Sequence, residues 1–185
     1  MISTNDVRPG MALQLDDGLF TIIEYQHVKP GKGKAFVRMK LKKVETGQVM
    51  DRTFRADENV DQAIIDRSEY QYLYRDDVGF HFMNLQDYGQ IAVGPDEVGN
   101  ADKFMVEGAV VSLAIHNGTP IGVELRPSVE LEVTYAEPAV KGDTRTGASK
   151  LVTTESGHEV QVPLFIEQGD RIRVDTRTGD YQTRV

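Results

Sequence analysis

The sequence predicts an all-β protein made of three small β domains in series, at residues 1–64, 65–128 and 129–185. Apolar and polar residues alternate at period two along most of the chain, as in half-buried strands. Gly, Asp and Asn turns separate these runs at short intervals, which favours hairpins. The 185 residues are 39% hydrophobic and 27% charged, an ordinary globular balance. Five-stranded oligonucleotide-binding (OB) barrels are the typical all-β solution for domains of this size.

The first segment is predicted to form a small antiparallel barrel or sheet. A hairpin is predicted over residues 11–25, with its turn at 16–18, and a further strand over 49–54 follows a turn at 46–47. Between them, the strand at 35–42 has a core face of Ala35, Val37, Met39 and Leu41 and an outer face of Phe36, Arg38, Lys40 and Lys42. The polar stretch at 57–59 predicts a short helix that continues to Ile64.

The second segment opens with strands at 70–74 and 80–83, joined by a turn at 76–79. Pro95 and two following acids suit the first turn of a helix, whose apolar face Phe104 and Met105 would close. Residues 110–125 predict a hairpin that turns at Asn117–Gly118. This turn also matches a glycosylation sequon, an interpretation that we set aside because no leader precedes it. Residues 126–128 read as a linker.

The third segment repeats the pattern, with strands at 129–135, 160–162 and 171–174, a Gly/Thr-rich loop at 142–147 and a turn at 178–179. The pentapeptide Asp-Thr-Arg-Thr-Gly occurs at 143–147 and again at 175–179. Because the pentapeptide is short and has turn-forming composition, reuse of a turn sequence is favoured over internal duplication.

Several function classes are excluded. Cysteine is absent, so thiolate catalysis, disulfides and cysteine-ligated metals are ruled out. No Gly-x-Ser-x-Gly motif occurs, and the four histidines are widely spaced. Residues 31–34 lack the spacing of a phosphate-binding loop. We therefore expect no enzyme activity, cofactor or metal. The start carries no leader, and no apolar run is long enough for a membrane span, so we expect a cytoplasmic protein with no membrane partner.

Charge is unevenly distributed. The net charge is −8, which as a bulk quantity disfavours nucleic acid. The three segments carry about +1, −6 and −3, however, and residues 29–43 hold seven Lys or Arg and no acid. An acidic middle segment is open to two interpretations, a protein-binding surface or an ordinary solvated face.

The tip between the second and third predicted strands is the most informative element. Pro30 fixes one φ, and Gly31 and Gly33 permit positive φ, so the loop can turn tightly and present Lys32. The alternative is an ordinary solvated hairpin tip. Because this tip directly precedes a basic strand that contains no acidic residue, we favour salt-dependent binding of RNA or DNA.

Here the sequence resembles a known family. Residues 26–42, Gln-His-Val-Lys-Pro-Gly-Lys-Gly-Lys-Ala-Phe-Val-Arg-Met-Lys-Leu-Lys, look like the lysine-tip loop of bacterial translation elongation factor P. Further matching stretches span the chain: residues 5–10, 53–56, 71–74, 160–166 and 174–179. The resemblance implies an N-terminal KOW/SH3-like barrel and two OB-fold barrels.

The resemblance also implies function. Such a factor binds the 70S ribosome, through ribosomal RNA and proteins, between the peptidyl and exit tRNA sites and relieves stalling at consecutive prolines. Lys32 would reach peptidyl-tRNA, and a modifying enzyme is a further implied partner because some relatives carry a modified tip. A monomer is implied as well. By position, the residues with implied roles are the tip Pro30, Gly31, Lys32, Gly33 and Lys34, the basic strand residues Lys29, Arg38, Lys40 and Lys42, the exit-site loop Gly142, Asp143 and Thr144, and the small-subunit side Tyr181 and Arg184.

This sequence departs from the family pattern at two points, and two other functions compete with this interpretation. Lys34 stands where many relatives have an uncharged residue, so a second cation could share the contact of Lys32. A lysine tip excludes modification through arginine and leaves the other routes open. The rivals are a generic single-strand RNA binder, disfavoured because Phe36 is the only aromatic residue in the basic strand, and an enzyme for which no acid–base constellation can be named.

Overall fold

The computed structural model describes residues 1–138 and 148–185, and these form three curled β-sheets. The first sheet has the order β1-β6-β2-β3-β4-β5, and all of its pairings are antiparallel. Its strands are β1 (Ile2–Ser3), β2 (Ala12–Leu15), β3 (Gly18–Val28), β4 (Phe36–Lys43), β5 (Val49–Arg55) and β6 (Asn59–Ala63). Its core is one apolar cluster centred on Leu13, Phe20, Ile22, Val37, Met39 and Leu41.

The second sheet has the order β11-β10-β7-β8-β9. Its strands are β7 (Asp66–Arg75), β8 (Phe80–Asn84), β9 (Gln90–Val93), β10 (Val110–His116) and β11 (Thr119–Glu124). Between β9 and β10 lie α1 (Pro95–Val98) and a 3-10 helix (Gly99–Phe104). The predicted helix is thus only one α-helical turn long, because Gly99 takes φ +53° and the chain continues in the tighter 3-10 form.

The third sheet has the order β14-β13-β12-β15-β16, again with antiparallel pairings. Its strands are β12 (Ser128–Ala136), β13 (Ser149–Thr154), β14 (Glu159–Pro163), β15 (Arg171–Asp175) and β16 (Tyr181–Arg184). Its core contains a residue from outside the sheet, Phe104 of the 3-10 helix, packed among Leu131, Val133, Val160 and Ile172. The 3-10 helix therefore supplies part of the core of the third sheet.

The helix predicted through Ile64 is wrong. Residues 59–63 form β6, which pairs with both β1 and β2 and buries Val60 and Ala63. A segment this short cannot sustain an isolated helix, whereas two neighbouring strands satisfy its backbone groups. The predicted linker at 126–128 also needs correction, because Ser128 belongs to β12 and the carbonyls of Arg126 and Pro127 accept hydrogen bonds from Thr176 at 2.6 and 3.0 Å.

By compactness, the chain divides into two units, Met1–Arg67 with Ala114–Gly122, and Ser68–Leu113 with Val123–Val185. The three-domain division at 64/65 and 128/129 stays a prediction. The predicted all-β class itself is confirmed, because the described residues form three antiparallel sheets with only one short α-helix and one 3-10 helix.

His158, at the turn between β13 and β14, packs against the 3-10 helix. Its ring meets that of Phe104 edge-on, with the centroids 5.0 Å apart. Burial, and next the positive charge of Lys103, hold the pKa of His158 below its usual value, while Glu159 acts in the opposite direction. The folded protein therefore favours the neutral ring.

We expect this histidine to make stability depend on pH. Its usual pKa is about 6.5, so below that pH the unfolded chain binds the proton more readily than the folded one, and stability falls until the lower folded pKa is passed. His158→Gln should reduce the loss between pH 7.5 and 5.5. Urea unfolding of both proteins at the two pH values measures it, and equal losses in the two proteins would contradict the expectation.

Candidate nucleic-acid interface

Strands β3 and β4 carry the predicted tip. They pair from Phe20–Lys43 to Val28–Phe36, and residues 29–34 between them are exposed. Gly33 takes φ +115°, a conformation that L side chains rarely adopt, and a Cβ there would lie 3.7 Å from Pro30 Cγ. Pro30 and Gly33 thus close the loop around Lys32, whose side chain faces solvent.

The alternation predicted for the basic strand is confirmed. Val37, Met39 and Leu41 of β4 are fully buried, whereas Arg38 and Lys42 are exposed. Because side chains alternate across a strand, the outer face of β4 presents Phe36, Arg38, Lys40 and Lys42.

The cations on this face differ in their surroundings. Lys40 lies opposite Glu24 on β3 and opposite Asp51 on β5. Its Nζ donates to Glu24 Oε1 at 2.9 Å. This hydrogen bond, and then the charges of Glu24 and Asp51, raise the pKa of Lys40. The positive charge of Lys40 is therefore compensated within the sheet.

Nearer the tip, no acid lies directly opposite Arg38 or Phe36 on the neighbouring strands. Arg38 lies between Gln26 and Thr53, and the next row places Phe36 between Val28 and Arg55. Two arginines therefore flank a half-buried aromatic ring at the end of the sheet that adjoins the tip.

Sequence reasoning missed Arg55. Buried Thr4 donates its hydroxyl to the Arg55 carbonyl at 2.9 Å, and the Arg55 amide donates to Glu58 Oε2 at 3.0 Å. The backbone of Arg55 is thus held while its side chain stays exposed. Counting the register across the turn at 46–47 would have placed Arg55 beside Phe36, but neither the strand end nor the register was predicted.

Cations without a partner concentrate around the tip. Among residues 1–138 and 148–185, the Lys and Arg side chains with neither an ion-pair nor a hydrogen-bond partner are Lys29, Lys32, Lys34, Arg38, Lys42, Arg55, Lys103 and Arg126. All but the last two belong to the tip, to β4 or to its neighbour β5. Apart from Lys103 and Arg126, the cations of the other described segments have partners, as Arg173 has in Glu130 at 2.8 Å. The tip surface is therefore where a polyanion would meet uncompensated charge.

The two predicted residues near the C-terminus have other contacts. Tyr181 packs half-buried against the core of the third sheet. Arg184 Nη1 lies 3.7 Å from Asp170 Oδ2, and its guanidinium lies 5.5 Å from the centre of the Phe165 ring. This exposed ion pair is weak, so the arginine can exchange partners. The predicted loop residues Gly142, Asp143 and Thr144 lie outside the described residues.

Within the described part of the chain, no three His, Asp or Glu side chains come together in a group that could hold a metal ion. In that same part, no helix is both long and apolar enough to cross a membrane.

Family models match the chain in three consecutive parts. They are the KOW-like domain of elongation factor P at residues 3–60, its OB domain at 65–123 and its C-terminal domain at 129–184. Elongation factor P of Paenarthrobacter aurescens (strain TC1) is 52% identical over 185 residues, covering 100% of this chain and 99% of the relative. The elongation factor P of Clavibacter michiganensis subsp. michiganensis (strain NCPPB 382) is 52% identical with the same coverage.

A solved structure has a similar fold. Eukaryotic translation initiation factor 5A from Methanococcus jannaschii superposes with a TM-score of 0.55 at 20% identity, covering 64% of this chain and 88% of that one. A KOW-like domain followed by the OB and C-terminal domains of elongation factor P defines a translation factor of the ribosome-associated type. The chain belongs to the elongation factor P family, which is a family of translation elongation factors and not of enzymes.

Proposed function

We propose that this elongation factor binds the 70S ribosome between the peptidyl and exit tRNA sites and relieves stalling at consecutive prolines. The observation that carries the proposal is the concentration of partnerless cations around Lys32, on a chain whose other segments are acidic. RNA of the ribosome and peptidyl-tRNA supplies the phosphates that such a surface attracts.

Proline explains why positioning would help. It is a constrained secondary amine, and a nascent chain ending in prolines can hold the ester carbonyl away from the attacking nitrogen. Fixing reactants in attack geometry is worth up to about 7–11 kcal/mol in ideal cases, and each tenfold gain in rate needs about 1.4 kcal/mol. A partial correction of the attack geometry is therefore enough to speed peptide-bond formation at consecutive prolines.

Lys32 acts in this proposal as a positioning group. Its exposed ammonium contacts phosphate or ribose oxygens at the acceptor end of peptidyl-tRNA and transfers no proton. Pro30, Gly31, Gly33 and Lys34 shape the tip, and a modifying enzyme that extends Lys32 would lengthen its reach. The ribosome remains the catalyst.

The remaining residues complete the interface. Lys29, Arg38 and Lys42 contact RNA along the strand, together with Arg55. Tyr181 and Arg184 face the small subunit and the anticodon side, and the loop of Gly142, Asp143 and Thr144 approaches the exit-site codon. The factor acts as a monomer in the cytoplasm, where ribosomes are.

The experiment is synthesis of a triproline-containing peptide by purified ribosomes, with protein from the native source and with unmodified recombinant protein. Faster synthesis with native protein, and no effect on a matched proline-free peptide, is the expected result. The recombinant protein then reports whether bare lysine suffices. No stimulation by native protein would overturn the proposal.

Arg55 and Lys40 offer a matched comparison. Arg55→Ala should weaken ribosome binding about two- to fivefold, as expected for one exposed charge contact, and should reduce the slope of log affinity against log salt by about one. Lys40→Ala should change both quantities less, because Glu24 already compensates Lys40. Binding measured by filtration at several salt concentrations tests this, and an equal loss in the two variants would contradict it.

A further inference from the structure

Tyr88 has a backbone conformation that its residue type does not favour. Its φ is +62°, and among the described residues only Asp57 and Asn117 are other non-glycine residues with positive φ. Short polar side chains tolerate this left-handed region because they hydrogen-bond locally, whereas a bulky residue there is strained. Local backbone preference therefore does not explain the tyrosine.

The loop that holds Tyr88 is tightly hydrogen-bonded. It joins β8 to β9, with Asn84 N donating to Gly89 O at 2.8 Å and Tyr88 N donating to Asn84 O at 3.0 Å. The side chains of Asn84 and Asp87 accept from the amides of Gln86 and Gly89 at 2.7 and 2.8 Å. The strained residue is thus held at a defined tip.

Packing does not explain Tyr88 either. Its side chain is 70% exposed, whereas Tyr70 and Tyr72 of the same sheet are 7% and 8% exposed and belong to the core. Strain that neither local preference nor packing offsets points to a function of the side chain. An exposed tyrosine on a fixed loop is the kind of residue that anchors an interface.

The charge around the loop selects the partner. Asp87 precedes Tyr88, and Glu69 lies beside the loop because its carbonyl accepts from Leu85 N at 3.1 Å. Both carboxylates are exposed. Arginine stacks on aromatic faces and pairs with carboxylates, whereas phosphate is repelled by them.

We propose that the Tyr88 loop, residues 84–89, is a docking site for a basic, arginine-bearing protein segment. The inference rests on the proposed function in one respect: the ribosome carries this segment. It adds a protein contact on the second sheet that is independent of the tip around Lys32.

The first test separates strain from packing. Tyr88→Asn removes the ring and suits the left-handed conformation, so its unfolding equilibrium constant should fall about fivefold or more. Tyr88→Phe should leave it unchanged. Urea unfolding measures both, and a destabilised Tyr88→Asn protein would overturn the inference, since the ring would then be part of the fold.

The second test identifies the partner. Tyr88→p-benzoylphenylalanine protein is photo-cross-linked to purified 70S ribosomes, and the cross-linked component is mapped by mass spectrometry. A protein segment containing arginine supports the inference. Cross-links confined to ribosomal RNA, or to segments without basic residues, overturn it.

Binding of the variants to ribosomes completes the design. Tyr88→Asn should bind about tenfold more weakly, and Asp87→Asn, which keeps the acceptor for Gly89 N, about threefold more weakly. Tyr135→Asn is the matched control because it removes a tyrosine that is 56% exposed on β12 and has no positive φ. Unchanged binding of Tyr88→Asn overturns this inference alone if the wild type binds and stimulates triproline synthesis. A wild type that does neither overturns the proposed function and this inference with it.

Discussion

Lys32→Ala protein should fail to stimulate triproline synthesis and should fold normally. The side chain is exposed at a loop tip and makes no hydrogen bond or ion pair within the described residues, so its free energy of unfolding should stay within about 0.5 kcal/mol of the wild type. In the proposed mechanism this ammonium is the group that reaches peptidyl-tRNA. Its loss should slow synthesis by at least about tenfold, which corresponds to about 1.4 kcal/mol.

Two variants control this result. Lys34→Ala removes a cation from the same tip, two residues away, and should retain most of the stimulation if Lys32 alone makes the contact. Lys32→Arg keeps the charge and changes the shape of the donor. Equal losses in the two alanine variants would show that the tip acts through total charge, and unfolding of Lys32→Ala would contradict the presentation of this side chain at the tip.

The binding loss should be smaller than the loss of stimulation. One exposed cation contributes little to the affinity of a surface with several. A loss of stimulation at saturating protein, with ribosome binding weakened by about fivefold or less, is therefore the pattern that separates positioning from simple attachment. Measuring binding and stimulation on the same protein preparation tests it.

The strand that carries the tip was predictable because its signal is local. Alternation from Val37 to Lys42 gives the buried and exposed faces directly, and Pro30 with Gly33 indicates the turn. The compensation of Lys40 by Glu24 and the position of Arg55 beside Phe36 depend on cross-strand register, and the bulge between Ile22 and Glu24 shifts that register on one side. Bulges have no firm sequence signature, so the site was predicted only in part.

Long-range pairing accounts for the errors in the fold. The polar segment at 57–59 looks like a helix start, yet β6 pairs with β1 and β2 over more than forty residues of sequence separation. Strand β13 was not predicted, although it lies between β12 and β14 in the third sheet. In both cases the neighbouring strands, and not the local composition, decide the conformation.

Phe104→Ala should cause the largest loss of stability among the variants considered. Phe104 is 5% exposed, and its ring packs in the core of the third sheet with Leu131, Val133 and Ile172 although it belongs to the 3-10 helix that precedes β10. Truncating a buried phenylalanine to alanine costs about 3–5 kcal/mol, through lost apolar contacts and the cavity left behind. Urea unfolding should show this loss.

Phe104→Ala should also loosen the contact between the 3-10 helix and the turn that joins β13 to β14. Ser156 Oγ donates to the Lys103 carbonyl at 2.6 Å, and His158 packs against the Phe104 ring, so both contacts depend on the position of the 3-10 helix. Phe104→Leu keeps most of the apolar volume and should recover about half of the lost stability. Hydrogen exchange should then show faster opening of β13 and β14 in Phe104→Ala, with β3 and β4 unchanged. Equal acceleration in all four strands would mean that Phe104 supports the whole chain and not the third sheet.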